Sequence, residues 1–453
     1  MKRLHYSALA IIALVWSGCS LLDSLGGRRL KPEYCADHPE DLDCRKEFPD
    51  ANNSCHSNTS CMAPTAVCDL SGSKACVQCV APDQVSACAG AQPVCGASHV
   101  CRACGSHAEC PLSNACLPDG FCATVAQVAY VDPATGTGSA CSLAAPCKKV
   151  LDALATARPY VKLKGTIDEA VTINNQNVTV LADPGAKLTR TNPGVILKVD
   201  GTSTVEIADL AITDGLGGTG IGISLPPGNT ASLTLLRSTV SNNAGGGISA
   251  SGGTLTVTQS TISGNTGGGI SASGGTLTVT QSTISGNTGG GISISGAQFD
   301  LTNNFIVSNG GPLAVFGGAK IDGIATSTGA HRLDFNTITA NQTSGTLTAG
   351  VLCSAIAVPL TFASNIVFRN GSGMQVEGNG CAWNYSDIGQ VITGTADINA
   401  DPLFVNVPQG DFHIQTTSPA KDAADPGATN NVDFDGDARP QGIHSDMGAD
   451  EVK

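Results

Sequence analysis

The strongest pattern in this chain is a stretch of 22 residues that occurs twice in tandem without a change, first as Gly245–Thr266 and then as Gly267–Thr288. Within the first copy, Leu255 and Val257 alternate with threonines, and Ile262 lies in a second short run. The alternation has the period of two that is typical of β-strands, and glycine-rich stretches separate the runs. The pattern predicts about three strands of 3–5 residues per repeat, which is one coil of a parallel β-solenoid.

Weaker copies flank these two repeats, and equivalent positions should stack from coil to coil at a spacing of about 4.8 Å. The stacking predicts two apolar columns and one polar column: Leu233, Leu255, Leu277 and Phe299; Val240, Ile262, Ile284 and Ile306; and Asn243, Asn265, Asn287 and Asn309. Stacked side-chain amides can hydrogen-bond along the axis of such a solenoid. We interpret the asparagine column as a ladder that stabilises a turn, in preference to a strip that binds a ligand.

Degraded apolar pairs extend the repeat in both directions and predict a solenoid over residues 161–400, with about ten coils. Residues 125–160 are expected to lead into the first coil and to cap it. Residues 401–453 are expected to form a C-terminal capping module that covers the open edge of the last coil, because an uncovered edge invites strand addition. The predicted fold class is therefore all-β.

Three segments carry a resemblance to known families. The run LTVTQSTISGNTGGGIS resembles the right-handed parallel β-helix repeat of pectate-lyase-like proteins, and residues 129–157 resemble the segment that precedes many such helices. Residues 401–451 look like the C-terminal module of surface β-helix proteins of the choice-of-anchor type. The resemblance implies a right-handed helix and a location outside the cytoplasm. It does not imply one activity, since the same helix carries lyases, hydrolases and adhesins.

The N-terminus has the features of an export signal. Residues 1–18 combine a basic start with a short apolar core, which is too short to span a membrane. The following Cys19 completes a sequence that resembles a bacterial lipobox, although Trp16 stands where leucine is usual. We expect lipidation at Cys19, a tether over 19–34 and, by analogy, a location at the outer membrane that faces the cell surface or the periplasm. The alternative is an ordinary secretory signal.

Cysteine is concentrated in residues 35–124, which are predicted to form a small disulfide-rich domain. Of the 19 cysteines, 14 lie between Cys35 and Cys122, in a segment with few large apolar residues. Disulfides, at about 2–4 kcal/mol each, can replace a core in such a segment. The alternative is zinc, since Cys76/Cys79 and Cys101/Cys104 have ribbon-like spacing, but export favours disulfides. Two further disulfides are predicted in the helix: Cys141–Cys147 and Cys353–Cys381.

Groups capable of acid–base chemistry are absent from the central repeats. Between Arg237 and Asp300 the sequence contains no Asp, Glu, Lys, Arg or His. The best catalytic candidates lie downstream at His331, Arg332 and Asp334, which combine a base, a cation and a carboxylate. However, a period of two places His331 on one face of the strand and the other two on the opposite face. The sequence favours a solvated edge over a catalytic cluster.

Closely spaced carboxylates in the tail form the second candidate site. They are Asp433, Asp435, Asp437 and Asp446, and they suit calcium, a hard cation that prefers oxygen ligands. The spacing is not that of an EF-hand loop. In the alternative interpretation, Arg439 pairs with these carboxylates and no ion is held. The sequence favours this second interpretation over a bound ion, and calcium is the one cofactor that it leaves open.

The formal net charge of −13 argues against nucleic acid as a partner. These features lead to the hypothesis of a lipid-tethered surface protein of the cell envelope that binds a glycan or an envelope protein or has a structural role. The sequence leans away from an enzyme. The alternative is a membrane-anchored polysaccharide lyase or glycoside hydrolase, which rests on the resemblance in fold.

Overall fold

The computed structural model describes residue 61, residues 67–69 and 75–80, and residues 88–325 and 331–453. The predicted signal peptide, the lipidation site Cys19 and the tether lie outside the described residues. The chain divides into two compact units, Met1–Cys122 and Ala123–Lys453. Among the described residues, no helix has the length and apolar character needed to cross a bilayer.

Disulfides organise the first unit. Its described elements are two antiparallel pairs of very short strands and one 3-10 helix: Val67–Cys68 with Cys76–Val77, Val94–Cys95 with Cys101–Arg102, and His107–Glu109. Between cysteines that are both described, the disulfides are Cys61–Cys76, Cys79–Cys95, Cys88–Cys101, Cys104–Cys116 and Cys110–Cys122. The predicted disulfide-rich region is therefore confirmed. Both pairs with zinc-ribbon spacing are divided between different disulfides.

Three parallel sheets form the walls of the solenoid in the second unit. Sheet 1 consists of Val171–Asn174, Leu197–Asp200, Ile221–Leu225, Gly246–Ala250, Ile270–Ser273, Ile292–Ser295, Ala319–Asp322, Val351–Ser354 and Val376–Glu377. Sheet 2 consists of Val128–Val131, Tyr160–Leu163, Asn177–Ala182, Thr204–Ala208, Ser232–Leu236, Thr254–Thr258, Thr276–Thr280, Gln298–Thr302 and His331–Asp334. Beyond it, Leu360–Ala363 pairs with Cys381–Asn384. Sheet 3 consists of Thr166–Asp168, Lys187–Thr189, Ala211–Thr213, Thr239–Ser241, Thr261–Ser263, Thr283–Ser285, Phe305–Val307, Thr337–Thr339, Ile366–Phe368 and Asp387–Ile388.

Nine coils run from Val171 to Ile388 in the described residues, and each of the first seven contributes one strand to each wall in the order sheet 1, sheet 2, sheet 3. In the last two coils, Leu360–Ala363 and Cys381–Asn384 take the place of the sheet 2 strand. The predicted apolar columns are confirmed, because Leu255 pairs in register with Leu233 and Leu277, and Ile262 pairs with its equivalents in the same way. These inward side chains are fully buried and form one continuous core.

Asparagine side chains form a buried ladder at the corner that follows sheet 3. The Oδ1 atom of Asn287 accepts hydrogen bonds from the backbone N–H and the side-chain amide of Asn265, at 3.0 and 2.9 Å. The side-chain amide of Asn287 in turn donates to the carbonyl of Ile262. The predicted column extends beyond the repeats to Asn341 and Asn370. All its members are inaccessible to solvent, so the ladder stabilises the corner and cannot contact a ligand from solution.

The N-terminal end of the solenoid is covered by a short capping segment. It contains a 3-10 helix, Val125–Gln127, and one α-helix, α1, Val150–Ala155. Val150, Ala153 and Leu154 of α1 are buried in the solenoid core. The predicted Cys141–Cys147 disulfide is present, and the backbone of this loop pairs with Tyr130 of the first strand of sheet 2. The edge of sheet 2 is thereby covered.

The second predicted disulfide of the helix, Cys353–Cys381, is also present. Cys353 lies in a strand of sheet 1, and Cys381 begins the strand Cys381–Asn384 of the following coil, beyond the end of sheet 2. The disulfide therefore joins two successive coils near the C-terminal end of the solenoid.

The C-terminal tail differs from its predicted position on the last coil. Its elements are the strands Phe404–Asn406 and Asp411–Ile414 with the 3-10 helix Val407–Gln409 between them. The tail packs along the side of the solenoid, where Phe305, Val307, Phe335 and Ile366 present apolar side chains outward and share a buried cluster with it. Without the tail, these outward apolar side chains would be exposed to water, which explains why the tail packs there. Hydrogen bonds to Gln281, Asn303, Thr337 and Ser364 fix it across four coils.

Residues between the last coil and the tail close the end of sheet 3. The backbone of Ile398 pairs with Ser386 and Ile388, and Asp387 accepts a hydrogen bond from Ala400 N–H through one oxygen. The other oxygen of Asp387 is buried without a hydrogen-bond partner among the described residues. Burial, together with the nearby charge of Asp401, raises the pKa of Asp387 to about 7.

Replacing one ladder residue, as in Asn287→Ala, is expected to destabilise the protein by about 3 kcal/mol, because the buried donors of Asn265 lose their acceptor. The shift in the denaturation midpoint measures this effect. Thr266→Ala, an exposed change one residue from the ladder, is the control and should stay within about 0.5 kcal/mol of the wild type. Equal effects of the two changes would contradict a stabilising ladder.

The stability of the protein should fall as pH rises from about 4 to 7, because folded Asp387 retains its proton where the unfolded chain has lost it. Asp387→Asn removes this effect, so its advantage over the wild type should grow by up to about 3 kcal/mol between pH 5 and pH 8. Thermal unfolding at several pH values measures it. Thr266→Ala is again the control and should give a difference that does not depend on pH, because neither side chain titrates. A pH-independent effect of Asp387→Asn would refute the prediction.

Candidate functional site

A groove runs across successive coils where the glycine turns lead into sheet 1. It has a volume of about 360 Å³. Its lining includes the glycines of both perfect repeats and of the next coil, the outward serines of sheet 1, and one aromatic ring: Gly245, Gly246, Gly267, Gly268, Gly289, Gly290, Ser249, Ser271, Ser293 and Phe316. We call this surface the glycine–serine groove. It was not found by sequence reasoning, although the repeated Gly-Gly-Gly-Ile-Ser run was the available signal.

The glycines in the groove have structural reasons to be there. A Cβ atom on Gly267 would lie 2.4 Å from the carbonyl oxygen of Gly245 in the preceding coil. Gly268 adopts a φ of +111°, a conformation that side chains disfavour. The close approach of successive turns therefore keeps the floor of the groove free of side chains. Backbone groups, serine hydroxyls and the partly exposed side chain of Ile221 are what remain for a ligand.

Serine hydroxyls form an outward column on sheet 1. Ser224, Ser249, Ser271 and Ser293 pair in register from coil to coil. The column continues into Lys198 at one end and Lys320 at the other. An uncharged surface of four coils is thus bounded by two cations in the same column.

Each bounding lysine forms an ion pair with a carboxylate on its own strand. Lys198 lies 2.6 Å from Asp200, and Lys320 lies 3.5 Å from Asp322. The Ser354 hydroxyl donates to Asp322, and this hydrogen bond together with Lys320 lowers the pKa of Asp322. Both carboxylates are therefore ionised at neutral pH. At each end of the serine column, the positive charge of the lysine is therefore neutralised by the carboxylate beside it.

An aromatic residue closes one end of the groove. Phe316 is buried and lies against Gly290, where a Cβ atom would meet its ring at 2.6 Å. The adjacent loop exposes Leu313 and Val315, at 94% and 63% of their surface. The groove therefore ends beside an apolar loop.

The structure separates the three catalytic candidates in the way that the strand period predicts. His331 occupies the column of Phe299 and lies 5.2 Å from that ring, on the inward side. Arg332 and Asp334 lie on the outer face, where Arg332 Nε donates to Asp334 Oδ2 at 3.0 Å. Burial raises the pKa of Asp334, against the effect of a hydrogen bond from Ala363 N–H and of Arg332. The three groups do not converge on one point outside the strand.

The four calcium candidates of the tail have separate protein partners. Asp433 accepts backbone N–H groups of Asp437 and Glu451, and Asp446 accepts those of Asp422 and Val452. Burial raises the pKa of Asp446 to about 6. In a separate set of contacts, Asp437 pairs with Lys453, and Asp435 pairs with His413. The residues therefore act mainly as acceptors that fold the tail.

Arg439 organises this part of the tail, and the ion-pair partner that the structure gives it is Glu451 rather than one of the four candidate aspartates. Its guanidinium is fully buried and lies 3.0 Å from Glu451. It also donates to the carbonyls of Asp446, Gly448 and Asp450. The same group lies 4.7 Å above the ring of Phe335 on the solenoid. Arg439 thus joins the tail to the surface on which it packs.

Comparisons with known proteins agree with this architecture. The family model described as "Right handed beta helix region" matches residues 169–276, 194–355 and 250–388. The crystal structure of pectate lyase Pel9A is similar over 72% of this chain and 96% of that chain, with a TM-score of 0.53 and 17% sequence identity. No curated protein matches the sequence.

The fold class follows from the described strands and the family match together. The chain is an all-β parallel β-solenoid that contains a right-handed β-helix region, and a disulfide-rich region precedes it. At 17% identity, the likeness to Pel9A shows the fold alone.

Arg439→Ala should destabilise the docked tail by about 3–5 kcal/mol, because the buried carboxylate of Glu451 then lacks its counter-charge. Limited proteolysis is expected to cut the variant within residues 401–453 faster than the wild type. Lys453→Ala is the control, since Lys453 is largely exposed, and it should change stability by less than about 0.5 kcal/mol. Unchanged proteolysis of Arg439→Ala would show that Arg439 does not hold the tail.

Proposed function

We propose that this protein binds an uncharged, linear polysaccharide along the glycine–serine groove of sheet 1. The carrying observation is the in-register column Ser224, Ser249, Ser271 and Ser293, which lies beside a floor of glycine backbone without charged side chains. Hydroxyl and peptide groups can exchange hydrogen bonds with sugar hydroxyls. The likeness in fold to a pectate lyase supports a function related to carbohydrate.

The spacing of the coils supports an elongated ligand. Successive serines of the column are separated by one coil, about 4.8 Å, which is close to the length of one sugar in an extended chain. A glycan that follows the solenoid axis would meet the same set of groups at each step. Binding should therefore grow with the number of sugars and require several of them.

The composition of the groove also limits the affinity with which it can bind a polysaccharide. Phe316 is the one aromatic residue in its lining, and that ring is buried. Aromatic stacking contributes to many sugar sites, but here hydrogen bonds would carry the affinity. Each net hydrogen bond is worth about 0.5–1.5 kcal/mol, so a short oligosaccharide should bind weakly.

We further propose that the protein is tethered to a membrane. The basic start, the apolar core and Cys19 of the lipobox-like sequence support lipid attachment. A tether would place the solenoid outside the cytoplasm, where polysaccharides of the cell envelope are present. The disulfides of the first unit support an oxidising compartment.

The second candidate function is a polysaccharide lyase or hydrolase. It is favoured by the similarity to Pel9A and by the position of Lys320, which lies in register with Ser293 at the end of the groove. A lysine can act as a base in such chemistry. Lyase action on a uronate polymer yields an unsaturated product that absorbs ultraviolet light. Product formation that disappears in Lys320→Ala would establish this function, whereas binding without product would support the first proposal.

Ser271→Arg should weaken polysaccharide binding at least tenfold, because it places a large charged side chain on the exposed centre of the serine column. Binding of the full-length protein is measured on a panel of neutral and uronate polymers, with and without calcium. Thr278→Arg is the matched control, since Thr278 lies in the same repeat but on the outer face of sheet 2. It should bind within twofold of the wild type.

Two results would overturn the proposal. One is equal binding by Ser271→Arg and Thr278→Arg, which would place the ligand elsewhere. The other is the absence of binding to every neutral polymer on the panel. Deletion of Gly245–Thr266 adds a second readout, because the chain rejoins at an identical repeat and the groove loses one coil. The dependence of affinity on oligosaccharide length should then shift by about one sugar.

A further inference from the structure

A histidine in the tail lies among three carboxylates that the functions discussed so far do not use. His413 is on the strand Asp411–Ile414 and is partly buried between the rings of Phe305 and Phe434. Its Nδ1 atom lies 2.6 Å from Asp411 Oδ1, and its Nε2 atom lies 3.0 Å from Asp435 Oδ2. One ligand atom each from His413, Asp435 and Asp450 lie within 4.8 Å of one another.

Asp450 provides a separate observation. Its side chain is more than nine-tenths buried, with 8% of its surface exposed. Its Oδ2 atom accepts a hydrogen bond from Ile414 N–H. This hydrogen bond uses one of the several lone pairs of the carboxylate, so Asp450 can still bind a cation together with His413 and Asp435.

We propose that His413, Asp435 and Asp450 form a binding site for a divalent transition-metal ion of the zinc type. One imidazole nitrogen and two carboxylates are three protein ligands that such ions accept. Calcium fits less well, since it prefers six to eight oxygen ligands and avoids imidazole. This set shares only Asp435 with the calcium candidates read from the sequence.

The geometry around the imidazole has the arrangement of a metal-ligating histidine. In metal sites, the ring nitrogen that does not bind the ion usually donates to a carboxylate, which fixes the tautomer and the ring orientation. Asp411 occupies that position at Nδ1 and leaves Nε2 directed at Asp435. Ligand atoms that are each about 2.0–2.1 Å from zinc stand roughly 3.0–3.4 Å apart. The separation of Nε2 and Asp435 Oδ2 already has this value.

The ion would join three separate parts of the tail. His413 belongs to the hairpin, Asp435 to the turn between Asp433 and Asp437, and Asp450 to the C-terminal segment. Phe305, which lies 5.1 Å from the imidazole, belongs to the solenoid surface beneath them. Metal binding should therefore raise the thermal stability of the docked tail.

The test is equilibrium dialysis of the metal-stripped full-length protein against zinc chloride. The wild type should bind one zinc ion per chain more than His413→Gln. His444→Gln is the matched control, because His444 is an exposed histidine of the same tail, and it should bind as many ions as the wild type.

Asp435→Asn keeps the test decisive if His413→Gln fails to fold. Asp435 is half exposed, and the partner that the structure gives its side chain is His413. This variant should bind zinc at least tenfold more weakly and should lose the zinc-dependent rise in thermal midpoint. Equal zinc binding by the wild type and Asp435→Asn would overturn the proposal. So would displacement of the zinc by an equal concentration of calcium.

Discussion

The in-register stacking of one coil on the next is the constraint on which this structure depends. Each backbone finds its hydrogen-bond partners in the coils above and below, so buried residues at equivalent positions of the repeats resemble one another in size and polarity. The asparagine ladder shows the consequence for polar groups, because the backbone N–H and the side-chain amide of Asn265 donate to Asn287 at the same corner of the next coil. The glycine turns show the consequence for space, since Gly267 must pass within contact of Gly245. In-register stacking thus determines where inward apolar residues, buried asparagines and glycines recur along the chain.

The sequence predicted most of what the stacking rule governs. The strand period, the columns through Leu255 and Ile262, the asparagine ladder and the Cys353–Cys381 disulfide all follow from local pattern and repeat spacing. The position of the tail could not be read in this way, because it depends on contacts between residues far apart in the chain. A signal was nevertheless present: Phe305 and Val307 are apolar at outward positions where the perfect repeats have threonine and serine. A strand that is apolar on both faces indicates that another part of the protein packs on its outer face.

The candidate sites show the same division. The opposite faces of His331 and Arg332 were predictable, because a period of two decides them. The partners of His413 were not predictable, since Asp435 and Asp450 are brought to it by turns of the tail that no repeat describes. The glycine–serine groove lies between these cases. Its residues are visible in the sequence. Its concave shape depends on the close approach of successive glycine turns, which only the structure shows.

The two identical repeats have a consequence for the evolution of this protein. Identical tandem segments in a gene can gain or lose a whole copy by unequal recombination. Here one copy corresponds to one coil, so residues after the change would still stack in register in the same columns. The tail contacts described above begin at Gln281, in the second copy, and continue downstream. Variation in copy number at this place would lengthen the solenoid between its two ends without altering the surface on which the tail is docked. The length of the solenoid can thus change during evolution in steps of one coil, while the two ends of the solenoid keep their structure.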